Sequence, residues 1–101
     1  MLATFSIIPL GQGIHISKQI AEIINIIDES GLDYQLTSMG TIVEGNWEEI
    51  MNLIETCHKH AFDFGDRVYT TIAIDDFKGR TSRLKGKVES VEKILKKDFN
   101  K

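Results

Sequence analysis

Two segments with helical periodicity alternate with four segments typical of strands, and this order limits the folds that are open to the chain. The first helical segment carries isoleucines at the i, i+4, i+7, i+8 and i+11 positions of one face. These residues are Ile16, Ile20, Ile23, Ile24 and Ile27. The second predicted helix has one broad apolar face, formed by Trp47, Ile50, Met51, Ile54, Cys57, His58 and Ala61. Strands are predicted at residues 2–10, 33–38, 41–45 and 67–75.

The order β-α-β-β-α-β is that of the split βαβ, or ferredoxin-like, arrangement. Right-handed crossovers then place both helices on one face of a four-stranded antiparallel sheet. The first strand is expected to turn Ala3, Phe5 and Ile7 one way, toward the core, and Thr4, Ser6 and Ile8 the other way. A third helix is predicted from the spacing of Leu84, Val88, Val91 and Leu95. The chain is therefore predicted to be one α+β domain over residues 1–101: a ferredoxin-like βαββαβ sandwich with an extra C-terminal helix.

Local signals mark where these elements begin and end. Asn46 is a good N-cap for the second helix, and acidic residues follow it in the first turn. Ser17 is the candidate N-cap of the first helix, and Gly31 stands where a left-handed glycine ends one. Met39 and Gly40 are predicted to form the tight turn between the second and third strands.

Composition excludes several classes of protein. The 101 residues are 42% apolar and 27% charged, which argues against a disordered chain, and the net charge of −3 gives no overall basic footprint for nucleic acid. No apolar run reaches the length of a membrane span, so neither a nucleic acid nor a membrane is expected as partner. The single cysteine closes no intramolecular disulfide, and we expect a reducing, cytoplasmic location.

Cys57 lies next to His58, which invites a catalytic-thiol interpretation. On a helix, however, neighbouring residues point about 100° apart, and Cys57 falls on the apolar stripe, so we interpret it as a small buried residue. His15, His58 and His60 lack metal-site spacing, and one acidic pair at Asp75 is weak evidence for a cation site. No metal is therefore expected.

Two phosphate-binding interpretations are equally weak. The run Gly11-Gln12-Gly13 follows a strand and precedes a helix, but it lacks the remaining residues of either known phosphate-loop motif, so a flexible turn is the better interpretation. A local basic cluster, formed by Lys78, Arg80, Arg83, Lys85 and Lys87, fits a phosphate or an acidic partner, although such clusters are mostly solvated.

The central hairpin gathers more chemistry than a purely structural hairpin needs. Within about a dozen residues it carries a phenol, a thioether, a hydroxyl and a carboxylate, at Tyr34, Met39, Thr41 and Glu44. Burying Glu44 would be costly unless it is paired, and a cationic or amidine-like ligand would pair it. The alternative, that Glu44 is exposed near a strand end, stays open from spacing alone.

The same residues resemble a known family. The runs Ser30-Gly31-Leu32-Asp33-Tyr34-Gln35-Leu36, Met39-Gly40-Thr41 and Glu44-Gly45 resemble the hallmark of the small thiamine-binding (YkoF-like) family, and the likeness extends from about Leu2 to Leu95. The resemblance implies a ferredoxin-like fold, a homotetramer built as a dimer of dimers, and binding of thiamine or its hydroxymethylpyrimidine part. It implies no catalytic activity and no cofactor besides the bound ligand.

The resemblance implies that the site residues are Tyr34, Met39, Gly40, Thr41 and Glu44, to which we add Ser6 and Asp75. Ser6 and Asp75 are included because they are expected to lie near the hairpin in the sheet. Tyr34 is expected to face the thiazolium cation, and Asp75 to neutralise it. Family members tend to carry a basic residue where this chain has Phe77, which bears on the identity of the ligand.

Three functions follow as hypotheses. The first is a cytoplasmic, oligomeric small-molecule binding protein for thiamine or a related pyrimidine. The alternative is a structural or regulatory homo-oligomeric module without a ligand, because the uncovered sheet face carries Ile8 among polar residues and predicts self-association. The weakest is an enzyme that uses Glu44 or Asp75 as an acid, since the motif holds no second catalytic partner.

Overall fold

The structure is a computed structural model that describes residues 1–11 and 17–79, and it has the predicted order of elements. The four strands are β1 (Leu2–Pro9), β2 (Asp33–Thr37), β3 (Gly40–Glu44) and β4 (Val68–Asp75). The two helices are α1 (Ser17–Glu29) and α2 (Trp47–Ala61), and a short 3-10 turn, Phe62–Phe64, follows α2. The predicted C-terminal helix, with Leu84 and Leu95, lies outside the described residues.

The strands form one antiparallel sheet in the order β2-β3-β1-β4, as a ferredoxin-like topology requires. Thus β1 is a central strand, paired with β3 from Leu2↔Glu44 to Phe5↔Thr41 and with β4 from Leu2↔Asp75 to Pro9↔Val68. Both helices pack on one face of this sheet. The prediction of an α+β fold with a four-stranded antiparallel sheet is confirmed.

The core lies between the helices and one sheet face. Its sheet side is formed by Ala3, Phe5, Ile7 and Val43, which confirms the inward set predicted for β1. Its helix side is formed by Ile23, Ile27, Ile50, Leu53, Ile54, Cys57 and Ala61. Two details of α2 differ from prediction: Leu53 joins the core, and Trp47 is 57% exposed. Trp47 is the first residue of the helix, so its side chain lies beyond the end of the packed layer.

The helix ends follow the predicted chemistry at two of the three predicted points. The Asn46 side chain accepts a hydrogen bond from the Glu49 N–H at 2.8 Å, and the Glu49 carboxylate accepts one from the Asn46 N–H at 3.2 Å, which completes a capping box. Gly31 has a φ of 79°, so it ends α1 in the left-handed region as predicted. Ser17 lies within α1 rather than before it, so the N-cap prediction for this residue is wrong.

The turn between β2 and β3 falls one residue earlier than predicted. Ser38 and Met39 form the turn, and Gly40 is the first residue of β3, where it pairs with Thr37. The Thr37 hydroxyl accepts from the Met39 N–H at 3.2 Å and donates to the Gly40 carbonyl at 2.7 Å. This local bonding competes with a turn centred on Gly40 and fixes the register of the hairpin.

Candidate functional site

Strands of unequal length leave a gap in the sheet. The ladder between β1 and β3 ends at Phe5↔Thr41, whereas the ladder between β1 and β4 continues to Pro9↔Val68. The last four residues of β1 therefore have a strand on one side only within the described part of the chain. The turn of the β2–β3 hairpin stands at the edge of this gap.

A cavity of about 650 Å³ occupies the gap and extends under α1. Ligand pockets for small molecules are typically about 300–1,000 Å³. The walls come from three elements and are mostly aliphatic: the second half of β1, the tip of the hairpin, and the inward side of α1. The aliphatic side chains that line it are Ile7, Ile8, Ile20, Ile23, Ile24, Ile27 and Leu36, with Met39 at the turn. The volume and the walls suit a ligand of the size of one or two small rings.

The polar groups of the cavity are hydroxyls, contributed by Ser6, Thr37, Ser38, Thr41 and Thr71. Ser6 and Thr71 lie opposite each other on β1 and β4, and their hydroxyl oxygens are 2.8 Å apart. One hydrogen is used between them, so the pair retains one donor and several acceptor lone pairs. Hydroxyls of this kind can both donate to and accept from a heteroaromatic ring.

Gly40 brings the hairpin against β1 at the rim of the cavity. A Cβ atom at this position would lie 2.8 Å from the Phe5 carbonyl oxygen and 3.6 Å from the Ser6 Cβ, and the φ of Gly40 is 150°. Both the space and the backbone conformation therefore require glycine here. The predicted importance of Gly40 has a structural cause: it lets the hairpin tip approach Ser6.

Among the described residues that line the cavity, none has an ionisable side chain with a charge near pH 7. A charged group that enters such a site without a partner loses its hydration and gains no compensating interaction. The cavity is therefore suited to an uncharged ring system, and a charged part of a ligand is better placed at the mouth. Met39, which is 84% exposed, stands at that mouth.

The structure brings together four of the seven residues predicted from the sequence. Ser6, Met39, Gly40 and Thr41 line the cavity. Tyr34 points to the helix side of the sheet and donates a hydrogen bond to Asp28 on α1 at 2.8 Å. This bond to a carboxylate raises the pKa of Tyr34 above its ordinary value.

Glu44 and Asp75 lie at the other end of the sheet. Both are register partners of Leu2, one on β3 and the other on β4, so they flank β1 at its start. Neither lines the cavity at the hairpin tip. Within a single subunit, therefore, Tyr34, Glu44 and Asp75 lie apart from the four predicted residues that line the cavity.

Sequence reasoning missed the aliphatic walls. The spacing predicts Ile20 and Ile24 only as part of the apolar helix face, but both line the cavity, and Ile20 is 39% exposed. Leu36 on β2 is likewise half exposed at the same cavity. Two signals point to this arrangement: an isoleucine stripe wider than a short sheet can cover, and a β1 segment longer than the strands of the hairpin.

The other candidate centres take structural roles. Cys57 is fully buried, and this burial raises the pKa of its thiol to about 11, so the interpretation as a packed small residue is confirmed. His58 forms a 2.6 Å hydrogen bond through Nδ1 with the Thr70 hydroxyl.

Within residues 1–11 and 17–79, no set of three potential ligands is arranged to hold a metal ion, and no helix is long and apolar enough to cross a membrane.

The chain is similar to several known proteins. A UPF0045 protein of Staphylococcus xylosus is 39% identical over 95 residues, which cover 88% of this chain and 89% of that protein. A hypothetical protein from Methanocaldococcus jannaschii has a solved structure with 30% identity and a TM-score of 0.82, over 89% of this chain and 93% of its own. A Thermotoga maritima protein, named as a candidate for thiamine biosynthesis or salvage, shares the fold at 23% identity, with a TM-score of 0.79 over 89% of this chain and 96% of its own.

The family model described as thiamine-binding protein matches residues 3–92. The matched segment includes β1, α1 and the β2–β3 hairpin, the elements that build the cavity. The resemblance read from the hairpin motifs is confirmed, and the chain belongs to the family of thiamine-binding proteins.

Proposed function

We propose that this protein binds thiamine, or its hydroxymethylpyrimidine part, in the cavity between the hairpin tip, β1 and α1. The observation that carries the proposal is the cavity itself, because four of the predicted site residues line it: the motif residues Met39, Gly40 and Thr41, and Ser6 beside them. Membership of the thiamine-binding family supports the choice of ligand. The role is binding in transport, salvage or sensing, without catalysis.

The chemistry of the walls supports this ligand. An aminopyrimidine ring presents hydrogen-bond donors and acceptors at its edge and apolar faces above and below. The hydroxyls of Ser6, Thr41 and Thr71 can match the edge, and the isoleucines of α1 can cover a face. The exposed thioether of Met39 is flexible enough to close over a bound ring.

We also propose that the protein is a homo-oligomer, a tetramer built as a dimer of dimers, in the cytoplasm. The open face of the sheet supports association, because Ile8 is 40% and Tyr69 is 56% exposed on neighbouring strands. The free buried thiol of Cys57 suits a reducing compartment. Light scattering during size-exclusion chromatography would give the number of subunits, and a monomer at micromolar concentration would refute the tetramer.

Thermal unfolding with and without ligand tests the binding proposal. A ligand that binds only the folded protein, present at a hundredfold excess over its Kd, stabilises it by about 2.7 kcal/mol. We expect thiamine or its pyrimidine part to raise the Tm, and unrelated metabolites to leave it unchanged. Ile20→Trp should abolish the shift by filling the cavity, whereas Lys18→Trp, at an exposed position of the same helix, should preserve it.

The variant Glu44→Ala tests whether the ligand site extends beyond the residues that line the cavity. Tyr34, Glu44 and Asp75 are the remaining predicted ligand contacts, although none of the three lines the cavity within a single subunit. If Glu44→Ala abolishes the ligand-induced rise in Tm, then Glu44 belongs to the site. An unchanged rise would restrict the site to the cavity residues.

The alternative function is a structural or regulatory oligomeric module without a ligand. The exposed apolar residues of the open sheet face favour it. In that case the polar hairpin residues pair across subunits, and no metabolite raises the Tm.

Turnover of thiamine by the purified protein would support instead the third possibility, an enzyme that uses Glu44 or Asp75 as an acid.

A further inference from the structure

Apolar side chains lie exposed along the side of the molecule where α2 meets β4. Ile72 and Ile74 of β4 are register partners of Phe5 and Ala3 of β1, and register partners share one face of the sheet. Phe5 and Ala3 belong to the core, so both isoleucines point to the helix side of the sheet. They nevertheless remain 45% and 42% exposed, so the helix layer of one subunit does not fully cover them.

The helix α2 adds larger side chains to the same side of the molecule. The 2.6 Å bond between His58 Nδ1 and the Thr70 hydroxyl shows which side of α2 faces β4. Trp47, Met51 and Phe62 stand at positions i−11, i−7 and i+4 relative to His58, so they lie on that side of the helix. Trp47 is 57% exposed, and Phe62, the C-cap residue, is 48% exposed.

The apolar side chains of these two elements form what we call the α2–β4 flank: Trp47, Met51, Phe62, Ile72 and Ile74. The flank is separate from the cavity, which lies under α1, and from the open face of the sheet, to which Ile8 and Tyr69 point. The fifteen residues from Trp47 to Phe62 give it a length of about 22 Å. Exposed apolar patches of this kind mark surfaces that bind another element or another chain.

Charge divides the chain into two unlike parts. Residues 1–79 hold four basic and twelve acidic side chains, a formal net charge of −8. Residues 80–101 hold eight basic and three acidic side chains, a formal net charge of +5, and the two parts together give the −3 of the whole chain. On α2, the exposed Glu48 and Glu55 lie beside Met51, at i−3 and i+4. An apolar flank bordered by acidic residues fits a partner that is both basic and amphipathic.

The C-terminal segment, residues 80–101, has both properties in its sequence. It lies outside the described residues, but Leu84, Val88, Val91 and Leu95 have the i, i+4, i+7 and i+11 spacing of one helical face. A helix spans about 17 Å between the first and the last of these residues, so their apolar stripe fits within the length of the flank.

We propose that the C-terminal segment of a neighbouring subunit docks on the α2–β4 flank, with its apolar stripe against Trp47, Ile72 and Ile74. The inference rests on the proposed homo-oligomer and assigns a surface that joins two of its subunits. Two observations favour a neighbouring subunit over the same chain. One subunit by itself leaves the flank exposed. Two domains that each carry a charge of −8 also repel each other, and a positive segment laid from each one on the other offsets this repulsion.

Disulfide trapping between two chains of different mass tests the proposal. Full-length chains with Ile74→Cys and full-length chains with Val88→Cys are co-expressed, purified together and oxidised, and only a contact between subunits yields the mixed disulfide. We expect the mixed disulfide to be the main product. In the control, Glu89→Cys replaces Val88→Cys and moves the thiol to the polar side of the segment, so far less of it should form. Cys57 is fully buried and does not compete.

Trp47 is the single tryptophan of the chain and gives a second readout. Docking should protect its indole from quenching by acrylamide. Val88→Ser combined with Val91→Ser should weaken docking at least about a hundredfold and abolish this protection, because burial of each valine favours the docked state about tenfold. The matched control, Glu89→Ser combined with Lys93→Ser, alters the polar side of the segment without changing its net charge and should retain the protection.

The outcomes separate the inference from the proposals on which it rests. If light scattering finds an oligomer but the mixed disulfide does not form, or Trp47 stays protected in the Val88→Ser, Val91→Ser variant, the inference is wrong and the homo-oligomer stands. A chain that carries both Ile74→Cys and Val88→Cys and closes its disulfide within itself would also refute the neighbouring subunit as the source. A monomer refutes both proposals. Ligand binding is measured separately, by the rise in Tm with thiamine.

Discussion

The two helices carry similar apolar stripes but use them differently. In α2, five residues of the stripe are fully packed into the core: Ile50, Leu53, Ile54, Cys57 and Ala61. In α1, only Ile23 and Ile27 are buried, whereas Ile20 remains 39% exposed. The cause is the sheet beneath them, because α2 packs against the neighbouring strands β1 and β4, whereas Ile20 and Ile24 of α1 line the cavity beside the hairpin tip.

Because of this difference, we expect the two helices to have different roles. The stripe of α2 contributes to the free energy of unfolding, since burial of an isoleucine side chain contributes about 1.5–3 kcal/mol. The outer part of the α1 stripe, which includes Ile20, remains partly exposed and lines the cavity, so we expect it to contribute to ligand binding rather than to stability. Substitutions on α2 should therefore change stability, and those on the outer part of α1 should mainly change binding.

The largest expected effect compares one isoleucine from each helix. Ile50 has no exposed surface, so Ile50→Ala should lower the free energy of unfolding by about 2–5 kcal/mol. Ile20→Ala removes the same atoms from a half-open site and should cost about 1 kcal/mol or less. Urea denaturation of both variants measures the difference. Equal losses would show that the α1 stripe is packed as tightly as that of α2.

The close approach of the hairpin to β1 is tested at Gly40. Gly40→Ala must accommodate a Cβ 2.8 Å from the Phe5 carbonyl oxygen and a φ of 150°, and we expect a loss of about 1–3 kcal/mol. Gly79→Ala is the matched control, because Gly79 also has a positive φ, of 80°, but no atom of the described residues lies within 4 Å of its added Cβ. The control should cost about 1 kcal/mol. If the two losses are equal, the contact with β1 contributes nothing.

The buried thiol of α2 predicts a dependence of stability on pH. Burial raises the pKa of Cys57 to about 11 in the folded protein, above its ordinary value of about 8.5. The unfolded chain therefore loses this proton first, so stability falls as the pH rises from about 8.5 to 11, by about 1–2 kcal/mol at pH 10. Cys57→Ala should lack this part of the fall. The Tyr34–Asp28 bond is present in both proteins and cancels in the comparison.

The smallest effect concerns the start of α2. Asn46→Ala removes the side-chain half of the capping box and should lower the free energy of unfolding by about 1 kcal/mol. Asn25→Ala on the surface of α1 removes only an exposed 3.3 Å bond to Glu29 and should be nearly neutral. Chemical denaturation resolves the two. A neutral Asn46→Ala would mean that tertiary packing alone fixes this end of α2.

Periodicity and capping chemistry predicted most of the fold because they are local. The isoleucine stripe of α1 and the Asn46 cap specify their helices without reference to the rest of the chain. The cavity was not predictable in the same way, since it depends on where the β1–β3 ladder ends, and the bonding of Thr37 shifts that hairpin turn by one residue. Tyr34 and Thr41 are close in sequence and belong to the same motif, but strand alternation and register decide which side chains share a site, and only Thr41 lines the cavity.

The central place of β1 has a consequence for how the protein forms. Strand β1 pairs along its whole length with β4, the last strand described, and Ser6 and Thr71, which meet across that ladder, are 65 positions apart in sequence. Contacts of such long range slow folding, because a large loop must close before they form. Until β4 is synthesised, the apolar segment Leu2–Pro9 lacks its partner along that edge, and unpaired strand edges of this kind make a nascent chain vulnerable to aggregation.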